Sequence, residues 1–126
     1  LIKVDADLDG HLPLVWADAG QIRQVFLNVF RNSIQEMPAG GKLTIRSSVV
    51  DGNSQVTVTD TGQGIPKDKL ERIFDAFFST KPTGSGLGLS ICSQIVRNHN
   101  GRLEAQSETS NGATFVLTLP LAPRNP

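Results

Sequence analysis

The sequence predicts an α+β two-layer sandwich, in which a mixed, mostly antiparallel sheet is covered on one face by about three helices. Two patterns support this fold class. Apolar residues recur at helical spacing in two long segments, whereas other segments alternate apolar and polar residues around short turns rich in Gly and Asn. Because the alternating segments come in consecutive pairs with helices between the pairs, their order favours a sheet with its helices segregated to one face.

The first predicted elements are two short strands, 1–4 and 14–17, around a turn at Asp9-Gly10. Asp18 follows, and its side chain is of the kind that caps helix N-termini. The helix that begins there is expected to end at Pro38. Its apolar positions are expected to share one buried side; they are Ile22, Val25, Phe26, Val29, Phe30 and Ile34.

A hairpin and an irregular segment come next. Alternation around 43–45 and 56–58 predicts two antiparallel strands joined through Asp51-Gly52-Asn53. Gly, Pro, Ser and Thr dominate from 61 to 85, where only a short helix at 67–73 is expected.

The last predicted elements are a helix over 86–98, stopped by Gly101, and a hairpin. The strands 102–106 and 113–119 are expected to be joined through the turn 110–112. The helix positions expected to be buried are Ile91, Cys92, Ile95 and Val96.

Length, charge and cysteine content limit the possible functions. The 126 residues predict one domain, 1–120, with a frayed tail at 121–126. Lys plus Arg equals Asp plus Glu at 12 each, which gives no reason to expect nucleic acid or membrane as a partner. Cys92, the one cysteine, excludes an internal disulfide and is expected to be a small core residue. Since neither a signal segment nor an apolar run of about 20 residues is present, we expect a cytoplasmic location, with membrane anchoring of a longer protein left open.

A ridge of carboxamides follows the first long helix. Gln24, Asn28, Asn32 and Gln35 are spaced so that they share one side. Such a ridge is usually only solvated, but an amide oxygen is also a hard, neutral ligand for Mg²⁺, which takes its other oxygens from water and phosphates. Together with the glycine motifs that follow, this makes Asn32 the first candidate metal ligand. Asn28 is expected to bind the same ion through water or to orient Asn32.

The second motif places a carboxylate at a predicted strand end, with Gly62 and Gly64 directly behind Asp60. An ionised carboxylate accepts hydrogen bonds, and the exocyclic amine of adenine donates them, whereas guanine has a carbonyl at that edge. The glycines let the backbone approach a flat ring closely. The motif therefore favours an adenine site, although a simple turn remains the alternative.

The third motif, Gly84-Ser85-Gly86-Leu87-Gly88, opens the second long helix. Free N–H groups at a helix N-terminus attract anions, and the glycines allow the chain to fold over phosphates. A flexible linker before a helix is the alternative. Lys81, just before this motif, is either a point charge for the terminal phosphate or an ordinary exposed lysine. Between the motifs, Phe74, Phe77 and Phe78 are expected to pin a mobile lid.

Together these motifs resemble the catalytic, ATP-binding domain of bacterial sensor histidine kinases. Its superfamily also contains DNA gyrases, heat-shock chaperone ATPases and mismatch-repair ATPases. The resemblance extends over residues 18–120, and the run 77–81 is similar to that of kinases of the nitrogen-regulation type, which have a short lid. The similar segments are Asn28–Asn32 (the asparagine box), Asp60–Gly64 (the first glycine box), Phe74–Lys81 (the phenylalanine box) and Gly84–Ile91 (the second glycine box).

The resemblance implies a Bergerat-type fold, bound ATP with Mg²⁺, and transfer of the γ-phosphoryl group to a histidine on a dimerisation domain outside this chain. It also implies a response regulator as partner, a homodimeric full-length protein and a monomeric isolated domain. The candidate catalytic residues are Asn28, Asn32 and Lys81. The candidate nucleotide-binding residues are Asn32 for the metal, Asp60 for the adenine amine, Gly62, Gly64, Ile65 and Leu89 around the adenine, Lys81 and Gly84 to Gly88 for the phosphates, and Thr114.

The residue type at position 28 distinguishes a phosphotransferase from an ATP hydrolase. Relatives that hydrolyse ATP have a glutamate there, whereas an amide cannot act as a general base near neutral pH. Phosphoryl transfer needs mainly alignment and charge neutralisation, which Asn28 permits. His11 and His99 do not fit the pattern of a phosphoacceptor, so the acceptor is expected outside this chain.

Two departures keep other functions open. Gln35 and Glu36 replace a lysine and an aromatic residue of many relatives, so phosphate charge is expected to be neutralised by Lys81, Arg31 and Mg²⁺. One alternative is therefore a non-catalytic interaction module ordered by nucleotide. A serine kinase of the anti-sigma type is a further alternative, disfavoured because those relatives carry the acidic residue that Asn28 replaces.

Overall fold

The computed structural model describes residues 2–7, 17–76, 88–107 and 112–121. The predicted turn at Asp9-Gly10, residues 14–16 of the second predicted strand and nearly all of the predicted tail lie outside these ranges. In chain order the elements are β1 (Ile2–Asp7), α1 (Ala19–Gln35), β2 (Gly41–Val50), β3 (Asn53–Asp60), α2 (Lys67–Leu70), α3 (Gly88–Asn98), β4 (Arg102–Ser107) and β5 (Ala113–Pro120).

The five strands form one sheet in the order β1-β2-β3-β5-β4. The pair β1–β2 is parallel and the other three pairs are antiparallel. The helices cover one face of this sheet, and their apolar sides meet it in a single core. The prediction of a mixed, mostly antiparallel sheet covered on one face is thus confirmed.

The β2–β3 hairpin sets the position of the β3 end. Asp51 and Gly52 both have positive φ, 52° and 77°, as a two-residue type I′ turn requires. The register that follows pairs Val50 with Asn53 and, at the far end, Leu43 with Asp60. Asp60 therefore lies at the last ladder position, on the face that the helices cover.

Helix α1 begins as predicted and buries a slightly different stripe. The Gln21 N–H donates to Asp18 Oδ1 at 3.0 Å, which caps the helix. Val25 and Val29 are buried, but the prediction for Ile34 was wrong, since it is 46% exposed. The ridge of residues four apart continues instead from Val29 to Ser33, which is fully buried.

Helix α3 ends in a Schellman motif rather than at a left-handed glycine. Asn100 is the residue with positive φ, 62°, and the N–H of Gly101 donates to the Val96 carbonyl at 2.9 Å. Gly101 is needed for another reason, because a Cβ there would collide with the carbonyl of Thr118. Cys92, Ile95 and Val96 are buried as predicted, whereas Ile91 is 42% exposed, which corrects that prediction.

Candidate functional site

The best-defined polar group on the helix-covered face is the carboxylate of Asp60, which is 1% exposed. Its Oδ1 accepts two backbone hydrogen bonds, from the N–H of Gly62 at 2.9 Å and from the N–H of Ala113 at 3.2 Å. One donor belongs to the segment after β3 and the other to the start of β5. The carboxylate is therefore held by backbone donors from two separate segments.

The second oxygen of this carboxylate, Asp60 Oδ2, is buried and has no hydrogen-bond partner among the described residues. A buried acceptor without a partner costs about 1–3 kcal/mol, and more when it is charged. Such an atom in a folded domain calls for a donor from elsewhere. The exocyclic amine of adenine is a donor of the required kind, so the residues present fit this group.

Close backbone approaches bring three segments together around Asp60. A Cβ on Gly62 would lie 2.5 Å from the carbonyl oxygen of Glu36 at the end of α1. A Cβ on Gly112 would collide with the carbonyl of Asp60 itself. The sequence predicted that Gly62 lets the backbone approach a ligand ring, and what it approaches in the structure is the end of α1. Gly112 was predicted only as part of a hairpin turn, because its contact with Asp60 depends on the pairing of β3 with β5.

The loop behind Asp60 is tied to the last hairpin by Ser107. The Ile65 N–H donates to Ser107 Oγ at 2.7 Å, and this hydroxyl donates to the Gly112 carbonyl at 2.7 Å. Gly64 has φ 76°, and Ile65 is half-buried against the core. Sequence reasoning missed Ser107, since a serine at the end of a strand carries no signal of a contact 42 positions away.

The amide of Asn28 links α1 to α3. Asn28 Nδ2 donates to Cys92 Sγ at 3.4 Å, and the Cys92 thiol points at the carbonyl of Val25 at 3.9 Å. Burial raises the pKa of the Cys92 thiol, an effect that the hydrogen bond from Asn28 offsets only in part. The thiol therefore stays protonated. Asn28 has its nitrogen directed into the contact between the two helices, and this holds the amide in one orientation.

Asn28 and Asn32 are half-buried on α1, whereas Gln24 and Gln35 on the same ridge are exposed. The described residues contain no group of three or more His, Cys, Asp or Glu that could hold a metal by itself. Two neutral amide oxygens are too few ligands for Mg²⁺ alone, but they suit an ion that brings its own waters and phosphate oxygens. The donor set thus fits a nucleotide-bound Mg²⁺.

Thr114 does not join this cluster, contrary to the expectation. It pairs with Thr59 in the β3–β5 ladder, and the two hydroxyl oxygens are 3.0 Å apart. Because neighbouring residues of a strand point to opposite faces, Thr59 lies on the face away from Asp60. The atom of β5 that reaches Asp60 is the backbone N–H of Ala113.

The predicted phosphate-binding segment is described only in part. Lys81, Gly84, Ser85, Gly86 and Leu87 lie outside the described residues, and their assignment stays a prediction. Within the structure, α3 begins at Gly88, and the side chain of Leu89 packs against the core. This brings the N-terminus of α3 to the same face of the sheet as Asp60.

Phe74 anchors the start of the segment expected to form a lid. Its ring meets that of Phe115 edge to face, with the ring centres 6.3 Å apart. Helix α2 is shorter than predicted, and turns follow it to residue 76. Phe77 and Phe78 lie outside the described residues.

Both ring nitrogens of His99 are used within the fold. Nε2 accepts from the backbone N–H of Asp18 at 3.0 Å, and Nδ1 lies 2.7 Å from the carbonyl oxygen of Ile95, to which it must donate. This pattern fits the neutral imidazole and ties the end of α3 to the start of α1. His99 is therefore a structural residue, and His11 lies outside the described ranges.

The fold agrees with the comparison to known proteins. Residues 17–123 match the family of histidine kinase-, DNA gyrase B- and HSP90-like ATPases. The chain belongs to this family. Sporulation kinase C of Bacillus subtilis is 41% identical over 108 residues, which are 86% of this chain and 25% of that protein. The predicted domain limits at residues 1 and 120 remain a prediction.

Two solved structures share the fold closely. Full-length ShkA in complex with AMPPNP matches with a TM-score of 0.86 and 33% identity, over 98% of this chain and 26% of that one. Histidine kinase ThkA in complex with the response regulator protein TrrA matches with a TM-score of 0.80 and 32% identity, over 96% of this chain and 34% of that one. The chain thus corresponds to the catalytic ATPase domain of sensor histidine kinases.

The chain spans about a quarter of the length of curated relatives such as sporulation kinase C and the sensor protein FixL of Bradyrhizobium diazoefficiens. Among the helices that the structure describes, none has both the length and the apolar character needed to cross a membrane.

Proposed function

We propose that this chain binds Mg-ATP and transfers the γ-phosphoryl group to a histidine on a separate dimerisation domain of a two-component sensor kinase. The observation that carries the proposal is Asp60 Oδ2, a buried acceptor without a partner among the described residues. Its neighbour Oδ1 is already occupied by two backbone donors. An amine donor of the ligand would satisfy the one open position, which selects adenine.

The amides of α1 support the metal part of the proposal. Asn32 would bind Mg²⁺ through its side-chain oxygen, and Asn28, one turn earlier, would bind the same ion through water or orient Asn32. The ion, when bound, would supply charge neutralisation for the phosphates. Lys81 and residues 84–88 would complete the phosphate contacts, with the N–H groups before α3 directed at the anion.

Two observations favour transfer over hydrolysis. The amide of Asn28 occupies the place of a general base and is fixed by its hydrogen bond to Cys92. His99 has both ring nitrogens engaged, so it is not available as an acceptor. Since the sequence around His11 does not fit a phosphoacceptor either, the acceptor histidine would come from another domain. The phosphoryl group would then pass on to a response regulator, the class of protein bound to ThkA in its complex.

Asp60→Asn tests the proposal. The amide oxygen can keep the two backbone hydrogen bonds, but its NH₂ group would face the adenine amine, so ATP affinity should fall by at least about 100-fold, or roughly 2.7 kcal/mol. The measurement is calorimetric titration with ATP and Mg²⁺, together with thermal unfolding to show that the variant is folded. Asp51→Asn in the exposed β2–β3 turn is the matched control, since Asn tolerates its positive φ.

Retention of ATP binding by a folded Asp60→Asn variant would reject this site. The kinase assignment has its own test, in which the chain, the dimerisation domain of the same protein and labelled ATP are combined. Acid-labile phosphate on histidine is expected. Tight ATP binding without it would favour a nucleotide-ordered interaction module.

A further inference from the structure

A second orphaned oxygen lies on the helix that packs over Asp60. Ser33 is fully buried, and its Oγ has no hydrogen-bond partner among the described residues. It does not even donate to the carbonyl four residues earlier, the usual outlet for a serine inside a helix. A buried hydroxyl in this state destabilises the folded chain, and an alanine would avoid the cost. The hydroxyl therefore needs an explanation of its own.

Packing contacts place Ser33 opposite Asp60. Val29 of α1 and Val58 of β3 line one small apolar space. Farther along both elements, the Glu36 carbonyl of α1 meets the backbone of Gly62. The helix and the strand therefore run side by side in the same direction between these two contacts.

The rise per residue of the helix and of the strand then shows which residues lie side by side between these two contacts. Four residues of helix advance about 6 Å, and two residues of strand about 6.6 Å. Ser33, four residues after Val29, thus comes level with Asp60, two residues after Val58. Ser33 continues the buried ridge from Val29, and Asp60 shares the face of Val58, so both side chains point into the same layer.

We propose that Ser33 is a specificity-determining residue of the nucleotide site. Its hydroxyl donates a hydrogen bond, directly or through one buried water, to the ring nitrogen N1 of adenine, while Asp60 Oδ2 accepts from the exocyclic amine next to it. Adenine presents a donor and an acceptor side by side on this edge, and a carboxylate with a hydroxyl is the complementary pair. The inference rests on the proposed function, because it needs the base to lie at Asp60.

The third side-chain oxygen that is buried without a partner in the described chain provides a contrast. Thr118 Oγ1 belongs to β5, where Thr118 is in register with Gln55 and Arg102. Its neighbours Leu117 and Leu119 point into the core, so Thr118 lies on the opposite face of the sheet from Asp60. It has the same chemistry as Ser33 without access to the site.

The test compares ATP with 1-deaza-ATP, in which N1 is replaced by C–H, in the parent chain and in Ser33→Ala. Affinities are measured by calorimetry and the stability of the ligand-free protein by thermal unfolding. In the parent, ATP is expected to bind about three- to tenfold more tightly than 1-deaza-ATP. In Ser33→Ala this ratio should fall to about one, while the ligand-free variant unfolds at the same or a higher temperature.

Thr118→Val is the matched control, because it also removes a buried hydroxyl without a described partner. It should leave the ATP to 1-deaza-ATP ratio unchanged. An unchanged ratio in Ser33→Ala would overturn the inference. A lower unfolding temperature together with equal losses of affinity for the two nucleotides would also overturn it, because that result indicates a structural role for Ser33. If Asp60→Asn loses ATP binding while the ratio in Ser33→Ala stays at the parent value, the inference alone fails. If Asp60→Asn retains ATP binding, the proposed site fails first.

Discussion

Two neighbouring polar residues at the end of β3 point to opposite faces of the sheet and differ in their hydrogen bonding. Asp60 faces the helices and keeps one carboxylate oxygen without a partner in the described part of the chain. Thr59 faces the other way, and its hydroxyl lies 3.0 Å from that of Thr114 on the adjacent strand. A polar residue at this end of β3 therefore does not by itself make a binding site. A site needs a hydrogen-bonding group that the fold positions but does not satisfy.

The two faces also differ in how they are built. The pair of Thr59 and Thr114 needs only regular antiparallel pairing of β3 with β5. The surroundings of Asp60 need three segments to converge, with Gly62 against α1 and Gly112 against Asp60 itself. The Asp60 side should therefore be the more sensitive to small changes in the backbone.

Gly112→Ala should give the largest effect on stability. Gly112 has φ 81°, and a Cβ there would collide with the carbonyl of Asp60. A loss of about 2–4 kcal/mol in the free energy of unfolding is expected from strain and displacement together. Urea unfolding measures it, with Gly52→Ala as control, since Gly52 has a similar φ of 77° but nothing near its missing Cβ. That control should lose only about 1 kcal/mol, and equal losses in both variants would contradict the convergence at Asp60.

Thr114→Val, on the other face of the sheet, should lower the free energy of unfolding by less than Gly112→Ala does. The variant leaves the Thr59 hydroxyl without its partner, so the free energy of unfolding should drop by about 0.5–1.5 kcal/mol. ATP affinity in calorimetric titration should stay within about twofold of the parent, because the side chain lies on the face away from Asp60. A tenfold loss of affinity, roughly 1.4 kcal/mol, would instead return Thr114 to the nucleotide site.

The smallest effect on stability is expected at Cys92. This residue lies on the helix-covered side of the sheet, but its thiol has hydrogen-bond partners within the fold, as the hydroxyls of Thr59 and Thr114 do. Burial raises the pKa of its thiol above the ordinary value of 9.0, so the folded chain holds this proton more tightly than the unfolded chain. The buried, protonated thiol contributes its full stabilisation at pH values below 9.0. This contribution is lost as the pH rises through the pKa that the thiol has in the folded chain. The stability difference between parent and Cys92→Ala, from urea unfolding, should therefore shrink above about pH 9. A constant difference up to pH 10.5 would contradict this.

Much of this arrangement could be predicted from the sequence, because local patterns determine it. The Asp51-Gly52 turn, the cap at Asp18 and the position of Asp60 at a strand end follow from residue types a few positions apart. The fold class and the family resemblance were confirmed on the same basis. The roles of individual site residues remain predictions that the binding experiments test.

The parts that were not predicted depend on contacts between distant segments. Ile34 and Ile91 have the right spacing but lie at the margins of their helices' buried sides, and they are exposed. The face on which Thr114 lies is decided by the β3–β5 register, and the contact of Gly112 with Asp60 by the same pairing. Ser33 is a conspicuous case, because only packing shows that a polar residue occupies the centre of the buried ridge.

The central claim is that Asp60 Oδ2 is the acceptor for the adenine amine. A crystal structure of this chain with a non-hydrolysable ATP analogue and Mg²⁺ tests it most directly. We predict the exocyclic nitrogen within about 2.7–3.2 Å of Asp60 Oδ2, with Oδ1 still bound to the backbone of Gly62 and Ala113. A base bound elsewhere, with Asp60 Oδ2 still unpartnered or filled only by water, would contradict the account.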